Sequence, residues 1–463
     1  MVCRETNKIL EMLKNVIALF MVLSFLPRVV EAPDKLNLSG EDDWPMWGKD
    51  ACRSATSKSK IKPPLVKLWE VELKGPIGTS PAVSGDLAVI GTGDRLIFKD
   101  DGRGWDANKI LRSGVNMDDS KIYGINVKTR KIIWEFQSSR PFQRIAHGGG
   151  LAPCIDKDRG IVYLGSESDP ETKEAVFYAL DAYTGKELWK KESSRVHHWS
   201  AAITKDGKVF VNNGKNLIAL DRPTGKLLWT ADGHGHGGSY VPVLSGDTIY
   251  FGCRAVDARD GKVIWVCKSE KSYAGSPYGG GTAPYGCGAS YAIGDKLVFA
   301  GTRDPDGLLA LDPSNGGAKW FFDTGGPPKV CSSPVFYNGI VCFTWRRGST
   351  TFGINATDGK LLWKYETEGR RNDGPFAISD GVGFGHRGVE AGGNGLISLI
   401  IGLDLKTGEK VWTYPVEAMC AGRHLSLAIA NDVLYCGIGN KFMAFVSEGD
   451  YRKRDSLKEE NKK

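Results

Sequence analysis

The chain has 463 residues, 41% of them hydrophobic, 10% aromatic and 25% charged, with 59 glycines and a formal net charge of +7. Such a balance suits one large β-domain with many short strands and tight turns. The positive excess is modest and no Arg/Lys stripe is interleaved with stacking aromatics, so nucleic acid is not an expected partner.

At the N-terminus Lys14 precedes an apolar run from Val16 to Leu26. Eleven residues are too few for a membrane span of about 20 and suit an export signal. Met12 is an alternative start that makes this signal more compact. Val30-Glu31-Ala32 offers a small-residue cleavage site, followed by Pro33, and no cysteine follows the run for lipidation. An uncleaved anchor is the competing reading. The expectation is an exported protein, periplasmic or extracellular, a monomer with no transmembrane span once residues 1–32 are removed. Residues 33–64 are expected to form a leader that packs on the domain after it.

That domain is a repeat. In seven places an Asp or Asn is followed four residues later by a turn residue and four after that by Trp. The sets are Asn126/Arg130/Trp134, Asp181/Gly185/Trp189, Asp221/Gly225/Trp229, Asp257/Gly261/Trp265, Asp312/Gly316/Trp320, Asn355/Gly359/Trp363 and Asp404/Gly408/Trp412. An Asx side chain bonds backbone amides ahead of it, Gly supplies positive φ, and Trp on the returning strand fills space between adjacent sheets. Arg130 departs from glycine, so a different turn type is expected there. Further hairpin signals precede the frames at 84–86, 205–207, 245–247, 337–339 and 379–381. Each repeat then holds four strands, A to D. The seven intervals from Trp69 to Trp412 average about 49 residues, the length of a four-stranded propeller blade.

The two ends of the array are complementary. Trp69 lies in a strand with no Asx turn before it, whereas the segment from Leu425 to Val446 has A, B and C strands and no Trp strand. Joining them predicts an all-β, eight-bladed propeller over residues 65–447, closed by its N-terminal strand so that no blade is left with an open edge. Residues 448–463 mix both charges and read as a solvated tail. Beyond Cys3 there are nine cysteines, with no adjacent pair, CxxC or CxxCH motif. They read as packed strand residues; Cys253 with Cys267, Cys331 with Cys342 and Cys420 with Cys436 are the pairs an oxidising compartment could join.

The stretch Asp181-Ala182-Tyr183-Thr184-Gly185-Lys186-Glu187-Leu188-Trp189 resembles the tryptophan-docked repeat of the PQQ (pyrroloquinoline quinone) propellers, and Asp43-Trp44-Pro45-Met46-Trp47-Gly48-Lys49-Asp50 is similar to the segment before their first blade. The resemblance covers Asp43 to Val446. It implies the fold strongly and function weakly, because the superfamily includes both quinoprotein alcohol dehydrogenases and BamB-type scaffolds of outer-membrane assembly. A dehydrogenase would hold PQQ with Ca²⁺, a catalytic Asp and often a disulfide between adjacent cysteines, which this sequence lacks. Glu167, Asn212 and Asn213 are the oxygen donors nearest to such a role, and ordinary hairpin chemistry explains them as well.

Aligning the blades on the glycine that ends strand B places Arg254, Arg303, Arg346 and Arg387 at one equivalent position in four consecutive blades. Their guanidiniums suit carboxylate or phosphate oxygens, with local pairing to Asp304, Asp306 or Glu390 as the alternative. His147, His197, His198, His234, His236 and His424 fall just before strand A, and His386 follows strand B. The D-to-A and B-to-C connections share one face, so these residues, with Arg371, Asn372, Asp373 and Arg423, are expected around the channel mouth. His234 and His236 lack the spacing of a strong zinc motif, and hydrogen-bonded loop histidines account for them. Lys186, Lys226, Lys262, Lys360 and Lys410 lie on the opposite face among acidic neighbours, the usual solvated turn surface. The ligand-binding set is therefore Arg254, Arg303, Arg346, Arg387, His147, His198, His236, His424, Asp373 and Arg423. No catalytic residue and no metal site are assigned. The reading is a non-catalytic scaffold without a cofactor, binding an envelope protein or an anionic small ligand. The alternatives are a PQQ- and Ca²⁺-dependent dehydrogenase and a carbohydrate-associated cell-surface module.

Overall fold

The short turns read from the sequence adopt the left-handed backbone that two-residue hairpins need. Asp206-Gly207, Asn338-Gly339 and Asp380-Gly381 all have positive φ between an A and a B strand, and Asp295-Lys296 and Asn431-Asp432 adopt it without glycine. The computed structural model describes residues 36–93, 120–139, 152–166, 172, 174–194, 203–213, 216–232, 241–252, 254–267, 290–303, 306–325, 332–345, 350–366, 374–391, 395–417 and 425–453. The described residues from Leu38 onward make up one compact unit.

Seven sheets each take strands A to D in sequence order. The eighth takes A to C from Ala428–Ala430, Val433–Ile438 and Lys441–Ser447, and is completed by Leu65–Glu72. Trp69 pairs there with Ala444. The result is an eight-bladed β-propeller closed by its N-terminal strand, as expected. Blade 7 carries a fifth strand, Thr56–Ser57, which pairs in parallel with Ala377–Ser379. Neighbouring A strands touch one another, which makes them the inner ring.

The Asx frames connect each blade to the next. Asp181 Oδ1 accepts from the amides of Tyr183 and Thr184, and Gly185 closes the turn onto the Asp181 carbonyl at 2.8 Å. Trp134 of the preceding blade lies against that turn, its Nε1 donating to the Ala182 carbonyl at 2.9 Å. Trp265, Trp320 and Trp363 dock the same way on Pro313, Ala356 and Leu405. A methyl group at Gly185 would sit 2.7 Å from Trp134 Cε3. Glycine is thus required twice, for its φ of 69° and for the indole resting on it. The turn at Arg130 is not of a different type. Arg130 takes φ 62° and donates to the Asn126 carbonyl at 2.7 Å as the glycines do. The C-terminal segment also departs from expectation at its start, since 448–453 are helical and Arg452 bonds Glu448 at 2.5 Å.

Candidate functional site

The two ends of the ring are built differently. At the end that carries the A-to-B turns, the leader lies against the inner strands of blades 1, 2, 4 and 7. In these hairpins the middle residue of the three-residue A strand falls in a non-hydrogen-bonded pair, so its N–H points away from strand B. Leader carbonyls take four of these donors. Val83 of blade 1 exchanges two bonds with Trp44, both 2.8 Å; Ile155 of blade 2 donates to Pro45 at 2.7 Å, Leu244 of blade 4 to Ala51 at 2.8 Å and Ile378 of blade 7 to Ala55 at 2.7 Å.

Side chains lock the same path. The Asp42 carboxylate accepts from Lys49, from the Ser57 hydroxyl and from both N–H and hydroxyl of Ser59, and these bonds hold its pKa below the usual value against the opposing effect of burial. Asp43 Oδ1 accepts from Gly85 at 2.8 Å and Lys157 lies 3.2 Å from its carboxylate, tying the leader to the turns of blades 1 and 2. Arg53 is buried with its guanidinium against the Trp47 ring, donating to the carbonyls of Trp47 and Pro242; burial brings its pKa down to about 10. Nothing in the spacing of the leader announced Arg53. Its signal is an Arg in an otherwise small and polar stretch, and its buried acceptors come from distant positions.

The opposite end carries two of the predicted arginines as buried groups. Arg254 is 4% exposed, donates through Nη1 to the Asp232 carbonyl, and its Nε meets no acceptor. Arg387 is equally buried; it donates to the His386 carbonyl at 2.9 Å and to Thr351 Oγ1 at 2.7 Å, and its guanidinium carbon lies 5.5 Å from the centre of the Phe376 ring.

The four arginines do not share one register. Tyr250, Phe299 and Phe384 are the B-strand residues opposite Ala255, Ala310 and Gly402. Arg254 pairs with Phe251, the neighbour of Tyr250, and Arg387 lies three residues beyond Phe384, so both fall on the side of the sheet opposite those reference residues; Arg303 lies four residues beyond Phe299, at a different register position. The local setting differs too. Arg254 opens strand C (Arg254–Asp257), Arg303 ends strand B (Leu297–Arg303), and Arg387 is inside the long strand Val382–Ala391. His386 belongs to that same strand and does not follow it. Glycine-based alignment failed because the B-to-C hairpins differ in length: blade 4 turns at once after Phe251, whereas blade 7 continues to an Ala391–Gly395 pair. Arg346, His147, His197, His198, His234, His236, His424, Arg371, Asn372, Asp373 and Arg423 lie outside the described residues, as do Glu167, Cys253, Cys331 and Cys420.

The electrostatics of the described groups limit their chemistry. Burial, helped by the neighbouring Arg387, pulls the His386 pKa down to about 4 and leaves the imidazole neutral at pH 7. Burial pushes the thiols of Cys267 and Cys154 up to about 11 and 12, and that of Cys342 higher still. Thiolate nucleophiles are therefore not formed there at neutral pH. Asn212 is buried, and among the described residues no three His, Cys, Asp or Glu side chains gather as a metal-holding group. The C-to-D turns carry matched charge, as in Lys262–Asp260 at 2.6 Å and Lys360–Asp358 at 3.0 Å.

Comparison with known proteins agrees with this architecture. The family model described as outer membrane protein assembly factor BamB matches residues 118–272, 172–344 and 252–419. Tetrathionate hydrolase of Acidithiobacillus ferrooxidans is 29% identical over 168 residues, 36% of this chain and 28% of that protein. Quinoprotein alcohol dehydrogenase PedH of Pseudomonas putida is 26% identical over 262 residues, 48% of this chain and 39% of that protein. The chain thus spans well under half the length of these curated relatives. The crystal structure of BamB from Moraxella catarrhalis superposes with a TM-score of 0.52 at 14% identity, covering 83% of this chain and 98% of that one, a likeness of fold.

Proposed function

From the premise that this chain belongs to the family described as outer membrane protein assembly factor BamB, we propose that it is an exported, non-catalytic scaffold that binds an acidic protein segment or an anionic ligand. The face for that role is the one carrying the D-to-A and B-to-C connections. The observation that carries this reading is Arg254, a guanidinium almost fully buried, held by a backbone carbonyl and with Nε lacking an acceptor. A cation in that setting keeps its field for an incoming anion. The leader supports the choice of face, because it occupies the other end of the channel. Arg303, Arg346, Asp373, Arg423, His147, His198, His236 and His424 are proposed to surround the same mouth. Arg254 and Arg387 would lie beneath it as a buried positive layer, not as its rim.

A second reading, a quinone-dependent dehydrogenase, is favoured by the names of several relatives. Isolation of the protein from its native source, followed by mass spectrometry of what it retains, distinguishes the two. The expected companion is an acidic polypeptide or anionic molecule that dissociates as salt rises and is lost from Arg254→Ala. Retained quinone, with alcohol-dependent dye reduction in the presence of Ca²⁺, would replace the scaffold reading.

A further inference from the structure

Among the described residues the leader's carbonyls bond the inner edges of blades 1, 2, 4 and 7 and pass by an arc of two adjacent blades, 5 and 6. The A strands of blades 1, 2, 7 and 8 are buried along their whole length, and Val243 and Leu244 are buried in blade 4. In the adjacent blades 5 and 6, by contrast, Ile293, Gly294, Phe336 and Tyr337 are partly exposed. Their hairpins are otherwise the same. Ile293 opposite Val298 and Phe336 opposite Val341 occupy the register of Leu244 opposite Ile249 and Ile378 opposite Gly383, so their N–H groups point away from strand B into the channel. Among the described residues neither of these two amides finds a carbonyl, whereas Leu244 and Ile378 on either side of the arc are bonded to Ala51 and Ala55. The leader crosses from blade 4 to blade 7 within those four residues and passes the arc by. Blade 3 offers only Thr204, between two neighbours already bonded to the leader.

We infer that the inner edges of blades 5 and 6 are a docking site for an extended polypeptide segment of a partner protein. Its backbone carbonyls add to Ile293 and Phe336 as the leader's add to Leu244 and Ile378, and its apolar side chains cover Ile293, Phe336 and Tyr337. The mode is edge addition, in which main-chain bonds supply affinity and side-chain pockets supply selectivity. Continuity with the leader's own interface, which flanks the arc on both sides, favours a peptide over a small molecule. The site lies at the leader-bearing end of the channel and is independent of the anion-binding face.

The test uses the full-length protein and residue-resolved amide exchange. The Ile293 and Phe336 amides of the free protein are expected to exchange at least tenfold faster than those of Leu244 and Ile378. Peptides selected from a displayed random library against the protein, then synthesised, should slow these two amides tenfold or more. Phe336→Pro deletes a donor that the blade's own ladder does not use, and Phe336→Ala loses the same ring while keeping the donor. The selected peptide should bind the proline variant about fivefold or more weakly than the alanine variant. The exchange experiment stands alone if the proline variant does not fold. Protection of both amides in the free protein, protection that appears only through self-association at high concentration, or selected peptides that protect neither amide would each overturn the proposal.

Discussion

At the scale of single residues, the glycine of each frame meets two demands that a side chain fails. Gly185→Ala would place a Cβ against Trp134 and force a left-handed backbone on an L-residue. The left-handed cost is about 1–2 kcal/mol, and displacement of the indole adds to it. Equilibrium denaturation should show a loss of about 2–4 kcal/mol. Arg130 gives the converse. It already adopts φ 62°, so Arg130→Gly should raise stability by about 0.5–1 kcal/mol even though the glycine gains freedom in the unfolded chain. A fall in stability would mean that the Arg side chain contributes more than its backbone costs. His386 adds a pH dependence. Its folded pKa lies near 4 against 6.5 for the ordinary side chain, so on acidification the unfolded chain takes up a proton that the folded chain refuses. Stability from this group is complete above about pH 6.5 and falls as pH drops toward 4, by up to about 3 kcal/mol. His386→Gln should flatten that part of the stability–pH curve, which thermal unfolding across pH 4 to 7 would measure.

At the scale of elements, the leader acts as a shared cap for strands far apart in sequence. Its carbonyls meet the inward amides of Val83, Ile155, Leu244 and Ile378, and each buried N–H left without an acceptor costs about 1–3 kcal/mol. Removing residues 1–57 while keeping the strand Leu65–Glu72 should therefore preserve the ring, lower its melting temperature, and expose those four amides to rapid exchange. Unchanged protection at Ile155 and Leu244 would show that the leader is not their acceptor. Much of this level was legible in advance: the four-stranded blades and their turn residues. The common position of the four arginines was not. Register depends on hairpin length, and the glycine used as a marker does not hold one register, since Gly252 and Gly301 match His386 in blade 7 while Gly385 lies one residue short. A single-residue error exchanges the two sides of a sheet.

At the scale of the whole molecule, closure joins residues nearly 400 apart, because Leu65 pairs with Ser447 and Glu72 with Lys441. Deleting residues 1–72 should leave the strand Lys441–Ser447 as an open edge, and sedimentation of the truncated protein is expected to show aggregation or a large loss of stability. A soluble truncated monomer with an unchanged melting temperature would contradict a ring closed by that strand. The sequence by itself determined the blade, the number of blades and the closing strand, since these follow from turn chemistry and from a Trp frame repeated at short range. Only the tertiary structure decided which tryptophan rests on which glycine, that the leader bonds the inner strands of blades 1, 2, 4 and 7, that Arg254 and Arg387 are buried, and that among the described residues the inward amides of Ile293 and Phe336 meet no carbonyl. Periodicity and turn preference are properties of neighbouring residues. Burial and hydrogen-bond satisfaction around a ring depend on which distant segments arrive, and a carbonyl at Ala51 or Ala55 carries no mark of the amide it will meet.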